Sequence, residues 1–251
     1  MATVGKWVLG VWMAATVVLA YRWLPAAQGF DVPEAARIVA LHLPLAFVAM
    51  IAAIVAGVQA GRYLARRDLR LDASSKNAAA LAALFCLLTT ATGAVFARVQ
   101  WGAYWNWDPK QTCIAILLLI YAAYFVLRAG VDDPQKRASV GAVYILFAAV
   151  MTPMLGYVVP KYLANFSLHP TNTRFDSSYW TVILFATLGL TGLYVWMQNV
   201  ANRLDIAHLA LERLQTDESA DDARPEVTVP ARVTAVSAAA ESNKEAAAWT
   251  R

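Results

Sequence analysis

The chain has 251 residues, of which 59% are hydrophobic and only 15% are charged. A soluble domain of this length would carry about a quarter charged residues, and the apolar residues here gather in runs long enough to cross a bilayer, roughly 17–25 residues. The composition excludes a large soluble core and predicts an all-α, polytopic membrane protein. The net charge of +4 is modest and lies mainly in loops, which indicates membrane topology rather than nucleic-acid binding.

Six apolar runs predict six transmembrane helices. The first run follows Lys6 and is interpreted as an uncleaved span, because no small-x-small cleavage site precedes Arg22. Pro153 and Gly156 fall inside the fifth run and predict a kink there. The runs define a membrane domain over residues 1–203, and the polar tail 204–251 is expected to be partly helical and then disordered. The predicted spans are 7–24, 38–64, 77–97, 112–127, 139–159 and 179–201.

Basic residues are distributed unequally between the two sides that six spans define. Eleven Lys and Arg lie near the membrane on the side of the termini, against six on the other side. Because positively charged loops stay in the cytoplasm, both termini are predicted to be cytoplasmic. The connectors that carry His42, His169 and the tryptophans would then face outward, into the periplasm of a Gram-negative bacterium.

The connector between the third and fourth runs, WGAYWNWDPKQT at residues 101–112, is unusually aromatic. An interfacial belt explains tryptophans at a membrane boundary, but it requires no fixed spacing and no carboxylate. A flat platform for a large planar ligand accounts for the other residues of the segment as well. Gly102 permits close approach of a ligand, and Asp108, before Pro109, can cap the next helix. The predicted platform residues are Trp101, Gly102, Tyr104, Trp105, Trp107 and Asp108.

His42 and His169 are predicted at the same face as this connector, whereas His208 lies beyond the last span. Two neutral imidazoles can hold a haem iron from opposite sides. A quinone or another apolar ligand, or simple packing, explains the same pattern, and the residues alone leave these alternatives open. Four basic residues nearby are either interfacial anchors or partners for the carboxylates of an anionic ligand: Arg37, Arg98, Lys110 and Arg174.

The segment WGAYWNWDPKQT resembles the tryptophan-rich WWD motif of the haem-handling proteins of cytochrome c maturation, a superfamily that includes CcmC, CcmF and CcsA. RIVALHLP at 37–44 and SLHPTNTR at 167–174 resemble the histidine segments of the CcmC family, and the six-span plan matches over about 7–202. The motif's wording at 104–110 is closer to CcsA-type sequences. The single outer histidine pair and the small number of spans fit the CcmC type instead.

This resemblance implies that His42 and His169 are the axial iron ligands of haem b, that the platform lies under the porphyrin, and that some of the four basic residues meet the propionates. It implies delivery of haem to the periplasmic chaperone CcmE, together with the ABC-transporter subunits CcmA and CcmB and the small protein CcmD, in the bacterial inner membrane. On this interpretation the chain is a haem-transfer protein rather than an enzyme. The alternatives are a CcsA-type synthetase that ligates haem directly to apocytochrome, a haem transmembrane transporter, and a structural helper.

Overall fold

The structure is a computed structural model that describes residues 3–163, 167–169 and 175–222, and this part of the chain is helical without any strand. The described residues contain six helices that are long and apolar enough to cross a membrane. The predicted all-α, six-span membrane protein is thereby confirmed, while the cytoplasmic placement of the termini stays a prediction. The α-helices are α1 Thr3–Val18, α2 Val39–Arg66, α3 Leu69–Trp101, α4 Pro109–Ala129, α5 Pro134–Pro153 and α6 Ser177–Asp222.

Several helices begin before the apolar runs that predicted them, because aspartate side chains cap their first turns. Asp68 accepts a hydrogen bond from the Arg70 amide at 2.9 Å, so α3 begins at Leu69 and not at residue 77. Asp108 and Asp133 cap α4 and α5 in the same way, each followed by a proline at the first helical position. Apolar content therefore marks where a helix crosses the membrane, and the caps mark where it starts.

Helical geometry changes at Pro153, where proline removes a backbone donor, whereas α2 stays α-helical through Pro44. Helix α5 ends at Pro153 and continues as a π-helical segment, Met154–Leu163, which also contains Pro160. The change falls at the proline for which a kink was predicted. Two further short segments flank the first connector: a π-helical turn, Leu19–Trp23, after α1 and a 3₁₀ helix, Pro33–Ile38, that leads directly into α2.

Small side chains form much of the core, where α2 packs against α3 and α5. Ala52, Ala56 and Ala60 of α2 are completely buried, and a Cβ added at Gly57 would lie 2.8 Å from Ala149 Cβ. Lipid tails are as apolar as the helices, so close approach of small residues supplies the packing that holds membrane helices together. The chain divides into two compact units, Met1–Ala207 and His208–Arg251, and the site described below lies within the first.

A buried ion pair joins α3 and α4 at the end of the bundle opposite His42. The Arg128 guanidinium donates from Nη1 and Nη2 to the two oxygens of the Asp72 carboxylate, at 2.7 and 2.8 Å. Gly141 of α5 makes room for the arginine, since a Cβ there would clash with its side chain. The pair is bidentate, the geometry that best offsets the cost of removing two charges from water.

Candidate functional site

His42 lies near the start of α2, with its ring packed on α3. The ring Nδ1 is 3.0 Å from Thr92 Oγ1, and a Cβ added at Gly93 would come within 3.0 Å of His42 Cε1. The Thr92 hydroxyl donates to the carbonyls of Leu88 and Thr89, at 2.9 and 3.0 Å. Its oxygen is therefore left to accept the proton of His42 Nδ1. The ring also interacts with the Thr89 backbone carbonyl, so both acceptors around His42 are neutral.

The connector from α3 to α4 is short and held by its own hydrogen bonds. Helix α3 ends at Trp101, and Gly102 continues the chain at φ +80°, a left-handed conformation that glycine adopts without a Cβ penalty. The buried Gln111 side chain accepts from the Asn106 amide at 2.8 Å and donates to the Tyr104 carbonyl at 3.3 Å. The backbone of the connector is thus fixed from α4.

The predicted platform presents its aromatic faces unequally. Trp107 is 76% exposed and Tyr104 is 61% exposed, whereas Trp105 is half-buried and meets Trp107 edge to face with ring centroids 5.9 Å apart. Trp107 also has a positive φ of 54°, unusual for a non-glycine residue. The Arg98 guanidinium donates to the Gly102 carbonyl and lies 5.8 Å from the Tyr104 ring centre. Tyr104 and Trp107 therefore provide the open aromatic surface.

Trp101 belongs to the inner wall of the site. Its ring makes edge-to-face contacts with Phe96 and with the His169 imidazole, at centroid distances of 5.8 and 5.0 Å. The preceding Gln100 is buried and bonds both the amide and the carbonyl of Val32, at 3.2 and 2.8 Å. These contacts hold the end of α3 against the first connector and place Trp101 beside the histidine.

Asp108 connects the tryptophan connector to the segment that carries His169. One carboxylate oxygen accepts from the Lys110 amide at 2.9 Å and from His169 Nδ1 at 2.8 Å. The other accepts from Ser167 Oγ at 2.9 Å and from the Leu168 amide at 2.6 Å. The residue is only 3% exposed, and four donors satisfy its buried charge. Sequence reasoning predicted the helix cap and a ligand contact, and the structure adds the bond to His169.

The electrostatics of this pair favour a neutral imidazole. Burial lowers the pKa of His169 to about 4, the charge of Lys110 acts in the same direction, and Asp108 only partly offsets them. Burial alone would raise the pKa of Asp108, but the neighbouring His169 and three hydrogen-bond donors outweigh it, so this pKa lies below its usual value. An ionised carboxylate only accepts hydrogen bonds, so Nδ1 of His169 carries the proton.

The four predicted basic residues occupy different settings. Arg37 is half-buried, with Nη1 3.5 Å from the Tyr21 carbonyl, and its buried Nε has no partner among the described residues. Arg98 supports the connector, as described above, and Lys110 is exposed in the first turn of α4. Arg174 lies outside the described residues. Arg37 is thus the basic residue with a buried donor still to be satisfied.

The two predicted histidines are brought to one end of the bundle. His42 packs against Gly93 and His169 packs against Trp101, and both of these residues lie in the C-terminal part of α3. We call His42, His169 and residues 101–110 the histidine end. Each imidazole has a hydrogen-bond acceptor at Nδ1, so Nε2 is the nitrogen that can donate a lone pair to a metal ion.

Five supporting residues were not predicted from the sequence. Thr92 and Gly93 shape the setting of His42, Ser167 supports the histidine segment, and Gln100 and Gln111 hold the connectors. Gly93 alone left a usable signal, because an isolated glycine inside a helical run indicates close approach of a neighbour. Gln111 and Ser167 lie inside the motif segments 101–112 and 167–174, but their roles, like those of Thr92 and Gln100, are evident only from their contacts.

Residues 1–217 match the family described as Heme exporter protein C, CcmC. The chain is similar to Heme exporter protein C of Bradyrhizobium diazoefficiens, with 28% identity over 215 residues that cover 81% of each chain. It is 25% identical to the protein of that name from Rhodobacter capsulatus over 225 residues, which cover 82% of this chain and 90% of the relative. The protein of the same name from Escherichia coli K12 is 24% identical over 201 residues, which cover 75% of this chain and 81% of the relative. The matched region contains every residue of the histidine end.

Proposed function

The chain belongs to the Heme exporter protein C family, and from that premise we propose that its histidine end binds haem and passes it to a haem chaperone during cytochrome c maturation. The state of the two imidazoles carries this proposal. Each has its Nδ1 hydrogen-bonded to an acceptor, which leaves Nε2 to bind iron. When bound, haem supplies a porphyrin-held iron with two axial positions for such nitrogens.

The surrounding residues fit the remainder of a haem. Gly93 provides the space that the His42 ring occupies, a space that a Cβ would narrow. Tyr104 and Trp107 offer open aromatic faces for a porphyrin edge. Arg37 carries the buried unpaired donor that a propionate would satisfy. Because the aromatic faces are open, the same residues leave one porphyrin edge accessible to a receiving protein.

The proposal places the histidine end in the periplasm and both termini in the cytoplasm, with the chain in the bacterial inner membrane. Its support is the unequal distribution of Lys and Arg around the six spans. The cargo would be haem b. The receiving protein would be a CcmE-type chaperone, and the CcmA and CcmB transporter subunits and CcmD would act with this chain.

Absorption spectra of the purified protein test the ligand assignment. Wild-type protein should carry low-spin haem with two axial histidines, and His42→Ala and His169→Ala should each lose most of the haem or change its spin state. His208→Ala is the matched control, because this third histidine is exposed and belongs to the other compact unit. Full haem absorbance in either of the first two variants would overturn the assignment.

A transfer assay separates delivery from synthesis. Loaded protein mixed with purified chaperone should lose haem as the chaperone gains it, and loaded protein mixed with apocytochrome alone should form no thioether-linked haem. Thioether formation without a chaperone would identify a synthetase instead.

A further inference from the structure

We infer that Asp108 is a positioning residue that makes His169 the stronger of two unequal axial ligands. This inference rests on the proposed haem site. A carboxylate that accepts the Nδ1 proton of a ligating imidazole fixes its tautomer and ring orientation and increases its basicity. The 2.8 Å contact between Asp108 and His169 Nδ1 has this arrangement. The WWD aspartate thus acts on the iron through the histidine instead of touching the porphyrin edge.

The contrast with the second imidazole supports unequal ligands. His42 Nδ1 faces the neutral hydroxyl of Thr92 at 3.0 Å, and the ring also interacts with the Thr89 carbonyl, so its acceptors carry no charge. A charged acceptor forms hydrogen bonds roughly twice as strong as a neutral one. Since the two rings are otherwise the same chemical group, the acceptor at Nδ1 sets the difference in their donor strength.

The other contacts of Asp108 explain why this carboxylate keeps its orientation. The Lys110 amide holds the oxygen that faces His169, and Ser167 together with the Leu168 amide holds the other. The side chain is buried, so water does not compete for the bond to the imidazole. Asp108 therefore binds both the His169 imidazole and the backbone segment that carries it.

Asp108→Asn tests the inference, because asparagine still caps α4 but removes the charge. We expect haem to dissociate about 10–100-fold faster and the midpoint potential of the bound haem to shift positively, since a weaker donor stabilises ferric iron less. Asp176→Asn is the matched control: Asp176 accepts the Ser178 amide at 2.9 Å in the first turn of α6, and the described residues give it no contact with either histidine. Ser167→Ala removes the bonds of this hydroxyl to Asp108 and to the His169 amide but leaves the bond between Asp108 and His169 Nδ1, so it should change the potential little.

A second measurement needs no change at Asp108. Ferrous haem in His42→Gly is held by His169 alone, and in His169→Gly by His42 alone. The iron–imidazole stretching frequency in resonance Raman spectra should be higher in His42→Gly, where Asp108 accepts the Nδ1 proton of the remaining ligand, His169. Equal frequencies, or a potential in Asp108→Asn equal to that in Asp176→Asn, would overturn the inference. A wild-type protein without two histidine ligands would instead refute the proposed haem site.

Discussion

Gly93→Ala should weaken haem binding while it leaves the helix more stable. A Cβ at this position would lie 3.0 Å from His42 Cε1 and 3.6 Å from Nδ1. The first contact is tighter than ordinary van der Waals distance, so the ring must move by a few tenths of an ångström. The movement disturbs both the bond to Thr92 and the direction of Nε2. Because changes around metal-ligating histidines typically cost 10–100-fold in affinity, we expect a loss of about tenfold, or about 1.4 kcal/mol.

The opposite effect on stability makes this prediction specific. Alanine is favoured over glycine in a helix interior by up to about 1 kcal/mol, so the haem-free variant should melt no earlier than wild type. Gly61→Ala is the matched control: it is the same substitution in α2, with no atom within 4 Å of the new Cβ. Haem transfer to apomyoglobin measures affinity, and thermal unfolding in detergent measures stability. Equal haem retention in Gly93→Ala and wild type, or equal loss in both variants, would refute the reasoning.

Three further substitutions examine other parts of the structure. Asp72→Asn leaves Arg128 buried without its counter-charge and should lower the free energy of unfolding by about 3–5 kcal/mol. Asp68→Asn, at the exposed cap of α3, should lower it far less. Equal unfolding temperatures for the two variants would contradict this expectation. Arg37→Gln should reduce the affinity for haem several-fold but leave the affinity for haem dimethyl ester unchanged, because the ester has no carboxylates. Titration of wild type and variant with both compounds decides whether Arg37 binds a propionate. Trp107→Ala should lower haem affinity without changing the unfolding temperature, because the ring is mostly exposed and buries little protein surface; an unchanged haem titration would remove it from the platform.

The six spans were predictable because membrane insertion depends on a local property of the chain, the length and polarity of consecutive residues. Their ends were less predictable. Helix α3 starts at Leu69 because Asp68 caps it, and polar residues before the apolar run remain helical. The change of geometry at Pro153 coincides with a lost backbone donor, but α2 stays α-helical through Pro44, so proline by itself did not predict where a helix changes.

The candidate site was predicted as a set of residues but not as an arrangement. The tryptophan connector and the two histidines were recognisable by residue type, spacing and predicted side of the membrane. Nothing in the linear pattern indicated that Trp101 faces His169 or that Tyr104 and Trp107 are open. Trp101 is held at the end of α3, and the backbone leaves the helix at Gly102 with a left-handed conformation that recurs at Trp107.

The sequence by itself determined the class of protein, the number of spans and the residue types gathered at the histidine end, since each depends on composition and short-range order. The tertiary structure decided which nitrogen of each imidazole is engaged. His42 meets Thr92, 50 residues away along the chain, and His169 meets Asp108, 61 residues away. A hydrogen bond requires atoms within about 3 Å, and only the packing of separate helices and connectors brings such distant residues to that distance.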